Sequence, residues 1–508
     1  MNTDGNITKI VFRSISWLAI FKFSSQTLSW VITLIIARIL SPDDYGLMAM
    51  ATIITGYVEL FSELGLGAAI IQKKTITQTE LSSVFWFALT ISILLGALCF
   101  PLSYLTSYIM NEPRVIPLTK FVAIHFVISG LYIVPSNLLR KDLKFKELGF
   151  IELIAVMTSL VVMVIIAIHG GGAWALLSGS ITRKAVDVLM IYPKAGWYPK
   201  LRFNIKDAVN LLKFGSVLAL GRSLYYMQER SDSFFAGRLW KSDYLGLYGF
   251  AKQLAQIPTD RIVSLINQVS FPAFSKIQDK KKEFKKLYLH ISKMTMFIVI
   301  PLFTGGFLLG ELLIRTILNE KWFSMYVLFR YLCIVQIFVS MNAINNFVHV
   351  SQGRPVWSLY YNIVSAVIMP IAFYIMVPYG LNAMIAPWIS VFVVICIIWT
   401  IITLKKIKIS LMEYIKNLRH PFQGSLLIAL TVTALNKIIN QIPELTGLNY
   451  MKLAVLITCG AVTYFIYYWT FDKKYLADIY NKFKSQKKLN QNIKVIRKKS
   501  LMSEQQKK

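Results

Sequence analysis

Ala37-Arg-Ile-Leu-Ser-Pro-Asp-Asp-Tyr-Gly-Leu-Met-Ala-Met-Ala51 is answered 200 residues later, without a gap, by Gly237-Arg-Leu-Trp-Lys-Ser-Asp-Tyr-Leu-Gly-Leu-Tyr-Gly-Phe-Ala251. Arg38 matches Arg238, Asp43 matches Asp243, Gly46 matches Gly246, Leu47 matches Leu247 and Ala51 matches Ala251. Each segment is a polar turn between two apolar stretches, so each reads as a tight connection between an outgoing and an incoming helix. The competing explanation is chance similarity between turns of common composition.

Working outward, the chain has 508 residues, 56% hydrophobic and 16% charged, against about 45–50% and about 25% in soluble domains. No Asp, Glu, Lys or Arg lies between Arg354 and Lys405, a run of 50 residues. That is room for two membrane crossings at about 20 apolar residues each. Similar runs separate Glu80 from Glu112 and Glu152 from Arg183. A soluble enzyme, a secreted disulfide scaffold and a disordered chain are excluded. What remains is an all-α polytopic membrane protein, since barrel strands would show period-two alternation.

Fourteen spans are expected, at about 14–37, 46–71, 82–108, 115–138, 148–168, 172–192, 208–236, 244–271, 288–310, 324–350, 356–378, 380–403, 421–440 and 452–471. Placing the N-terminus inside puts 36 of the 55 Lys and Arg in inner segments and 8 in outer loops, the bias of the positive-inside rule. Both termini are then cytoplasmic, and the +30 net charge is a topology signal rather than a nucleic-acid signal. The N-terminus reads as an uncleaved first span. The two repeat turns lie six spans apart, so the halves are parallel. Two parallel six-helix lobes around a cleft are a transporter design. The expected organisation is a lobe over 1–196, a second over 197–408, two additional helices over 409–472 and a basic tail over 473–508. No outer loop could hold a catalytic domain, which argues against an enzyme. No cofactor is expected, and Cys99, Cys333, Cys396 and Cys459 lie in apolar spans without metal-ligand spacing.

Charges inside spans are expensive and therefore informative. They concentrate on the first, second, sixth, seventh and eighth spans: Lys22; Glu59 and Glu63; Arg183, Lys184 and Asp187; Arg222, Glu229, Arg230 and Asp232; Lys252, Asp260 and Arg261. Glu59 and Glu63 are one turn apart and share a face, an arrangement that could raise one pKa and take a proton or cation, or pair with bases elsewhere. Arg222, Tyr225, Tyr226, Glu229 and Ser233 form one stripe; Lys252, Gln256 and Thr259 form another. Arg and Lys on such stripes match a diphosphate. Local pairing offers plainer readings: Arg183 with Asp187 four residues on, and Arg230 with Asp232. Asn342, Asn345, Asn346 and His349 make a polar face suited either to a cavity or to a helix contact. The lysine-rich 280–286 run reads as an amphipathic connector between spans, and His169-Gly-Gly-Gly172 as a short turn.

At this point the residues resemble a known family. Leu40-Ser-Pro-Asp-Asp-Tyr-Gly-Leu-Met-Ala-Met-Ala51, continuing through Glu59-Leu-Phe-Ser-Glu-Leu-Gly-Leu-Gly-Ala-Ala-Ile-Ile-Gln-Lys73, is similar to the polysaccharide-export flippases of the multidrug/oligosaccharidyl-lipid/polysaccharide exporter superfamily. So are Val134-Pro-Ser-Asn-Leu-Leu-Arg-Lys-Asp-Leu-Lys-Phe145, the stretch from Gly246 to Arg261, and Phe271-Pro-Ala-Phe-Ser-Lys-Ile-Gln-Asp279. The resemblance spans about residues 10–400 and is closest to the colanic-acid-exporter-like branch of O-antigen and exopolysaccharide flippases. It implies movement of undecaprenyl-diphosphate-linked oligosaccharide from inner to outer leaflet of a bacterial cell membrane, by alternating access with ion coupling. Membrane lipids and polysaccharide polymerase machinery are the implied partners. Within that reading Arg222, Lys252, Arg183, Lys22, Arg261 and Tyr226 are the candidate substrate-binding residues, and Glu59, Glu63 and Asp260 the candidate ion-coupling residues. The alternative is an exporter of small amphipathic cations, as in the drug-efflux branch. These mid-span charges are nearly balanced, seven basic against six acidic, so charge alone does not separate the two.

Overall fold

A computed structural model describes residues 21–204, 223–352, 355–441 and 448–477, apart from 22–23, 64–66, 68–69, 72 and 74–75. Every regular element among them is helical. Each expected span carries a long helix: α1 (Ser24–Ile39), α2 (Pro42–Glu63), α3 (Gln78–Met110), α4 (Val115–Lys141), α5 (Phe145–Ile168), α6 (Ala173–Ala195), α7 (223–239), α8 (Ser242–Lys276), α9 (Lys281–Ile317), α10 (Tyr326–Ser351), α11 (Pro355–Met376), α12 (Leu381–Lys406), α13 (Leu411–Asn440) and α14 (Asn449–Phe471). Nine helices among the described residues are long and apolar enough to cross a membrane, at α3, α4, α5 and α9 to α14. α1 and α2 meet that test together as a pair bent by 119°. The charge-bearing α6 and α8 fall outside it. The chain is thus a multi-pass helical membrane protein.

Local chemistry sets the helix ends. Thr77 and Glu80 form a reciprocal capping box at the start of α3, and Asn111 ends it in the left-handed region, satisfying terminal backbone groups. Between α5 and α6 the chain turns on Gly170 and Gly172, both at positive φ, which a residue without a Cβ adopts freely. Close helix contacts use small residues, as expected where lipid supplies no hydrophobic drive. A Cβ on Gly96 of α3 would meet Ala123 O of α4 at 3.1 Å, and one on Gly130 of α4 would meet Ser92 at 2.7 Å.

The chain divides into two compact units. The first comprises residues 1–257, 313–335 and 353–399; the second comprises 258–312, 336–352 and 400–508. Within the second unit α9 is the organising helix. Its first turns carry exposed Lys281, Lys282 and Lys286, with Phe284 and Tyr288 buried. The expected connector is therefore continuous with α9. The polar face of α10 makes a helix contact: Asn345 accepts from Tyr288 Oη at 2.8 Å and donates to Thr400 Oγ1 at 2.9 Å, and His349 meets Thr403 at 2.9 Å. α13 and α14 dock on α9 through Asn417 to Leu289 O, Tyr464 Oη to Phe297 O, and a Lys293–Asp472 ion pair at 2.6 Å.

Candidate functional site

Within the first unit the two copies of the repeat have the same local structure to the residue. α1 ends at 39 and α7 at 239; α2 begins at Pro42 and α8 at Ser242. Leu40 N donates to Ile36 O and Trp240 N to Ala236 O, each at 2.8 Å. Tyr45 N donates to Ser41 O and Leu245 N to Lys241 O, at 3.4 and 3.3 Å.

These two turns cross each other, and glycine makes the crossing possible. A Cβ on Gly46 would collide with the Ser242 carbonyl, and a Cβ on Gly246 with the Pro42 carbonyl. Pro42 and Ser242 are themselves repeat mates, so the contact is pseudo-symmetric. Backbone lies on backbone, with no side chain between. Around this point Ser242 Oγ donates to Asp43 Oδ1, and Arg114 binds both Asp43 oxygens (2.8 and 3.1 Å), both Glu112 oxygens (2.9 and 2.8 Å) and Ser242 Oγ (3.1 Å). Those hydrogen bonds from Arg114 hold the Glu112 carboxyl below its usual pKa range. Behind the crossing Tyr45, Phe250 and Trp322 form an aromatic cluster with centroids 4.5–5.3 Å apart, and Trp322 Nε1 donates to Ala37 O at 2.6 Å. Further along α2, Tyr226 of α7 donates to Ile53 O at 2.8 Å. Its hydroxyl fills the space where a Cβ on Gly56 would lie.

A second cluster lies on α7, α8 and α12. Asp232 is fully buried. Its Oδ2 accepts from Lys252 Nζ at 2.5 Å and from Tyr248 Oη at 2.7 Å. Lys252 Nζ also donates to Glu229 O at 2.6 Å and lies 4.8 Å from the Trp388 ring centroid. Trp388 Nε1 donates to Tyr248 Oη at 2.8 Å. Trp388 opens a π-helical segment, Trp388–Phe392, the local widening often found at functional positions. Gln256 reaches Glu229 at 3.4 Å.

The predicted residues separate into groups. Lys252 and Tyr226 are both in this first unit, Lys252 in the ion-pair cluster and Tyr226 at the α2 contact. Arg183 pairs with Glu152 of α5 at 3.5 Å, a partner across helices; the carboxylate four residues on, Asp187, is an electrostatic neighbour and not its ion-pair partner. Glu59 lies 3.9 Å from His125 of α4. Asp260 is exposed and Arg261 half-buried, both in the second unit's part of α8. Lys22, Arg222 and the Glu63 side chain lie outside the described residues. Asp232 takes Lys252 as its partner, not its neighbour Arg230. Sequence reading missed Arg114, Ser242, Tyr248 and Trp388 as participants. For Ser242 a signal existed, its position as the repeat mate of Pro42; for Trp388, inside an uncharged run, none did.

No ion pair described above joins one half of the repeat to the other. Asp43, Glu59, Glu112, Arg114, His125, Glu152 and Arg183 belong to the first half and Asp232 with Lys252 to the second, while Lys293 ties the second half to Asp472 at the end of α14, outside the repeat. The hydrogen bonds described across the halves each include at least one neutral group: Ser242 to Asp43, Arg38 to Ile317 O at 2.7 Å, Lys321 to Arg38 O at 3.0 Å, Tyr226 to Ile53 O; Asp44 adds an electrostatic attraction to Lys321.

The sequence profile of a family described as polysaccharide biosynthesis protein matches residues 35–327. Among curated relatives, the lipopolysaccharide biosynthesis protein WzxC of Escherichia coli (strain K12) is 26% identical over 68% of each chain. The teichuronic acid biosynthesis protein TuaB of Bacillus subtilis (strain 168) is 23% identical over 90% of this chain and 95% of its own. Among solved structures, the lipid II flippase MurJ in an inward closed conformation superposes with TM-score 0.71 at 16% identity, over 90% of this chain and 99% of that one. An inward-facing multidrug resistance MATE transporter gives TM-score 0.59 at 15% identity, over 75% and 94%.

Proposed function

This chain belongs to the polysaccharide biosynthesis protein family, and from that premise we propose that it is a flippase for undecaprenyl-diphosphate-linked oligosaccharide. It carries the substrate from the inner to the outer leaflet of a bacterial cell membrane, with both termini cytoplasmic and no covalent chemistry. The observation that supports this best is the crossing of the two repeat turns. It closes one end of the repeat with contacts that break without stranding a buried charge, as a carrier with alternating access requires. Charges at mid-helix depth are retained despite a cost of roughly 2.5–3.5 kcal/mol each on insertion scales.

In the cycle, Arg222, Arg183 and Lys22 hold the diphosphate while the crossing is closed. Lys252 gives its donors to Asp232 and to Glu229 O, so it joins the substrate only by giving up one of those bonds. Glu59, Glu63 and Asp260 take up the coupling proton or cation. The lobes over 1–196 and 197–408 then rock, the crossing parts, and the glycan leaves while the polyprenyl tail stays in lipid. The helices over 409–472 add to this core, and the polymerase machinery receives the product.

The test is deletion of the gene, analysis of lipid-linked intermediates and complementation by wild type and Arg222→Ala. Accumulation of undecaprenyl-linked units at the inner leaflet, cleared by wild type and not by Arg222→Ala, is the expected result. Unchanged intermediates together with a rise in sensitivity to cationic drugs would replace the proposal with the efflux reading.

A further inference from the structure

α6 ends on Gly196, in the left-handed region at φ +62, and the chain then runs back along the first turns of α3. Trp197 is buried there among Ile70, Leu81, Phe85 and Val134. Its Nε1 donates to Gln78 Oε1 at 2.6 Å, and Gln78 Nε2 donates to Tyr198 O at 2.9 Å. Lys200 N donates to Ser82 Oγ at 3.0 Å, Trp86 Nε1 donates to Lys200 O at 2.8 Å, and Asn204 N donates to Ser83 Oγ at 2.9 Å. Gln78, Ser82 and Trp86 stand four residues apart on one face of α3. That face holds residues 197–204 by their backbone, as a strap, and the outward side chains of the strap are not needed for the attachment.

Those side chains are apolar and basic. Leu201 is 90% exposed, Tyr198 62% and Phe203 54%, and Lys200 and Arg202 are exposed between them. No acidic residue occurs from Val188 to Lys206, against four basic ones, Lys194, Lys200, Arg202 and Lys206. Large apolar side chains exposed together mark a contact with a protein or with a membrane. Depth chooses between the two. α3 has 33 residues, about 50 Å at 1.5 Å each. Centred on a hydrocarbon core of about 30 Å, it leaves about 10 Å at each end. The strap lies against residues 78–86, about the first 12 Å of the helix. It therefore stands at headgroup level, where aromatic rings settle and basic groups meet lipid phosphates.

We infer that this strap is a foot on an anionic lipid surface: Tyr198, Leu201 and Phe203 enter the headgroup zone, and Lys200 and Arg202 bind lipid phosphates. The positive-inside topology makes that surface the inner leaflet; the contact itself depends neither on that topology nor on the transported cargo. Because the backbone of the strap is fastened to α3, the foot holds the first half at one depth in the bilayer.

The test is fluorescence quenching of the full chain in nanodiscs, with bimane at Leu201→Cys in a background without the four native cysteines. Replacing so exposed a side chain spares the packing. The quenchers are phosphatidylglycerol and phosphatidylcholine, each with a nitroxide near the top of its acyl chain and at equal mole fraction, and acrylamide in the water. Expected is weak quenching by acrylamide and quenching by both lipids. Phosphatidylglycerol should quench about fivefold more strongly, the worth of one cation at an anionic surface. Lys200→Gln combined with Arg202→Gln should remove most of that preference while phosphatidylcholine still quenches. Three results overturn the inference. Strong quenching by acrylamide with none by either lipid places the strap in water and makes a soluble partner its occupant. Equal quenching by the two lipids in the unmodified strap removes the anionic surface. A preference for phosphatidylglycerol that survives the double variant intact removes Lys200 and Arg202 as its source.

Discussion

The crossing of the 40–46 and 240–246 turns and the Asp232 cluster use the same repeat in opposite ways. At the crossing, Gly46 and Gly246 bring neutral backbones together, and the ion pairs of Arg114 remain on the first half. At the cluster, a fully buried carboxylate is bound to Lys252 inside the second half. Separating a neutral contact exposes groups that water can satisfy. Separating a buried ion pair leaves an uncompensated charge, at about 3–5 kcal/mol. On the proposed transport cycle, the difference marks where the molecule would move and where it would stay rigid: buried charge pairs stiffen each half, and weaker contacts join them.

The largest effect expected from breaking this contrast comes from Gly246→Leu. A side chain there meets the Pro42 carbonyl, a backbone atom that cannot yield, and overpacking of this kind costs about 1–3 kcal/mol or more. Transport, read as clearance of lipid-linked units, should fall at least about tenfold at unchanged protein level. Gly46→Leu should match it, because the Ser242 carbonyl stands in the mirror position. If both variants transport normally, the crossing is not a moving contact.

Asp232→Asn addresses the rigid side. It leaves Lys252 without its carboxylate and should lower stability by about 3–5 kcal/mol, read by thermal unfolding in detergent. Asp232→Asn combined with Lys252→Met should recover most of the loss. Singles no worse than a surface variant would erase the contrast. Tyr226→Phe removes one bond to Ile53 O and should shift the closed fraction by about 1 kcal/mol, measurable from spin-label distance populations.

Arg114→Gln is the smallest, below about 1 kcal/mol, because the guanidinium is half exposed and screened. Its pH signature sharpens the point. Glu112 has a depressed pKa in the folded chain. Its contribution is therefore fully present above the unfolded value of about 4.3 and fades as pH falls through the folded value. The Arg114–Glu112 contact should not change between pH 8 and 5, and a midpoint near pH 6 in unfolding curves would assign the pH dependence to another group.

Much of this was legible in the sequence. The gapless offset between Ala37 and Gly237 foretold two turns that agree to the residue, because a turn's geometry is written in consecutive residues. The amphipathic pattern of Phe284 and Tyr288 was readable for the same reason. Arg183 with Glu152 was not, since the sequence displays an acid one turn away and hides one on a neighbouring helix. Asp232 with Lys252 was half visible: the two stand at similar rise on either side of the 240–241 turn, and a hairpin of helices brings such positions level. The reciprocal seats of Gly46 and Gly246 required knowing that the turns touch, which follows from packing and from no local pattern.

The central claim is that the crossing opens while each half stays intact. Spin labels at Tyr108→Cys of α3 and Leu239→Cys of α7, both exposed, in a background without the four native cysteines, report the distance between the halves at that end. Pulsed dipolar spectroscopy on the chain in nanodiscs should give a short distance in otherwise unmodified protein and a longer one in Gly246→Leu. A second label pair within one half, Tyr108→Cys with Phe121→Cys, should not change. An unchanged 108–239 distance in Gly246→Leu, with transport lost, would contradict the account and leave the glycines a purely structural role.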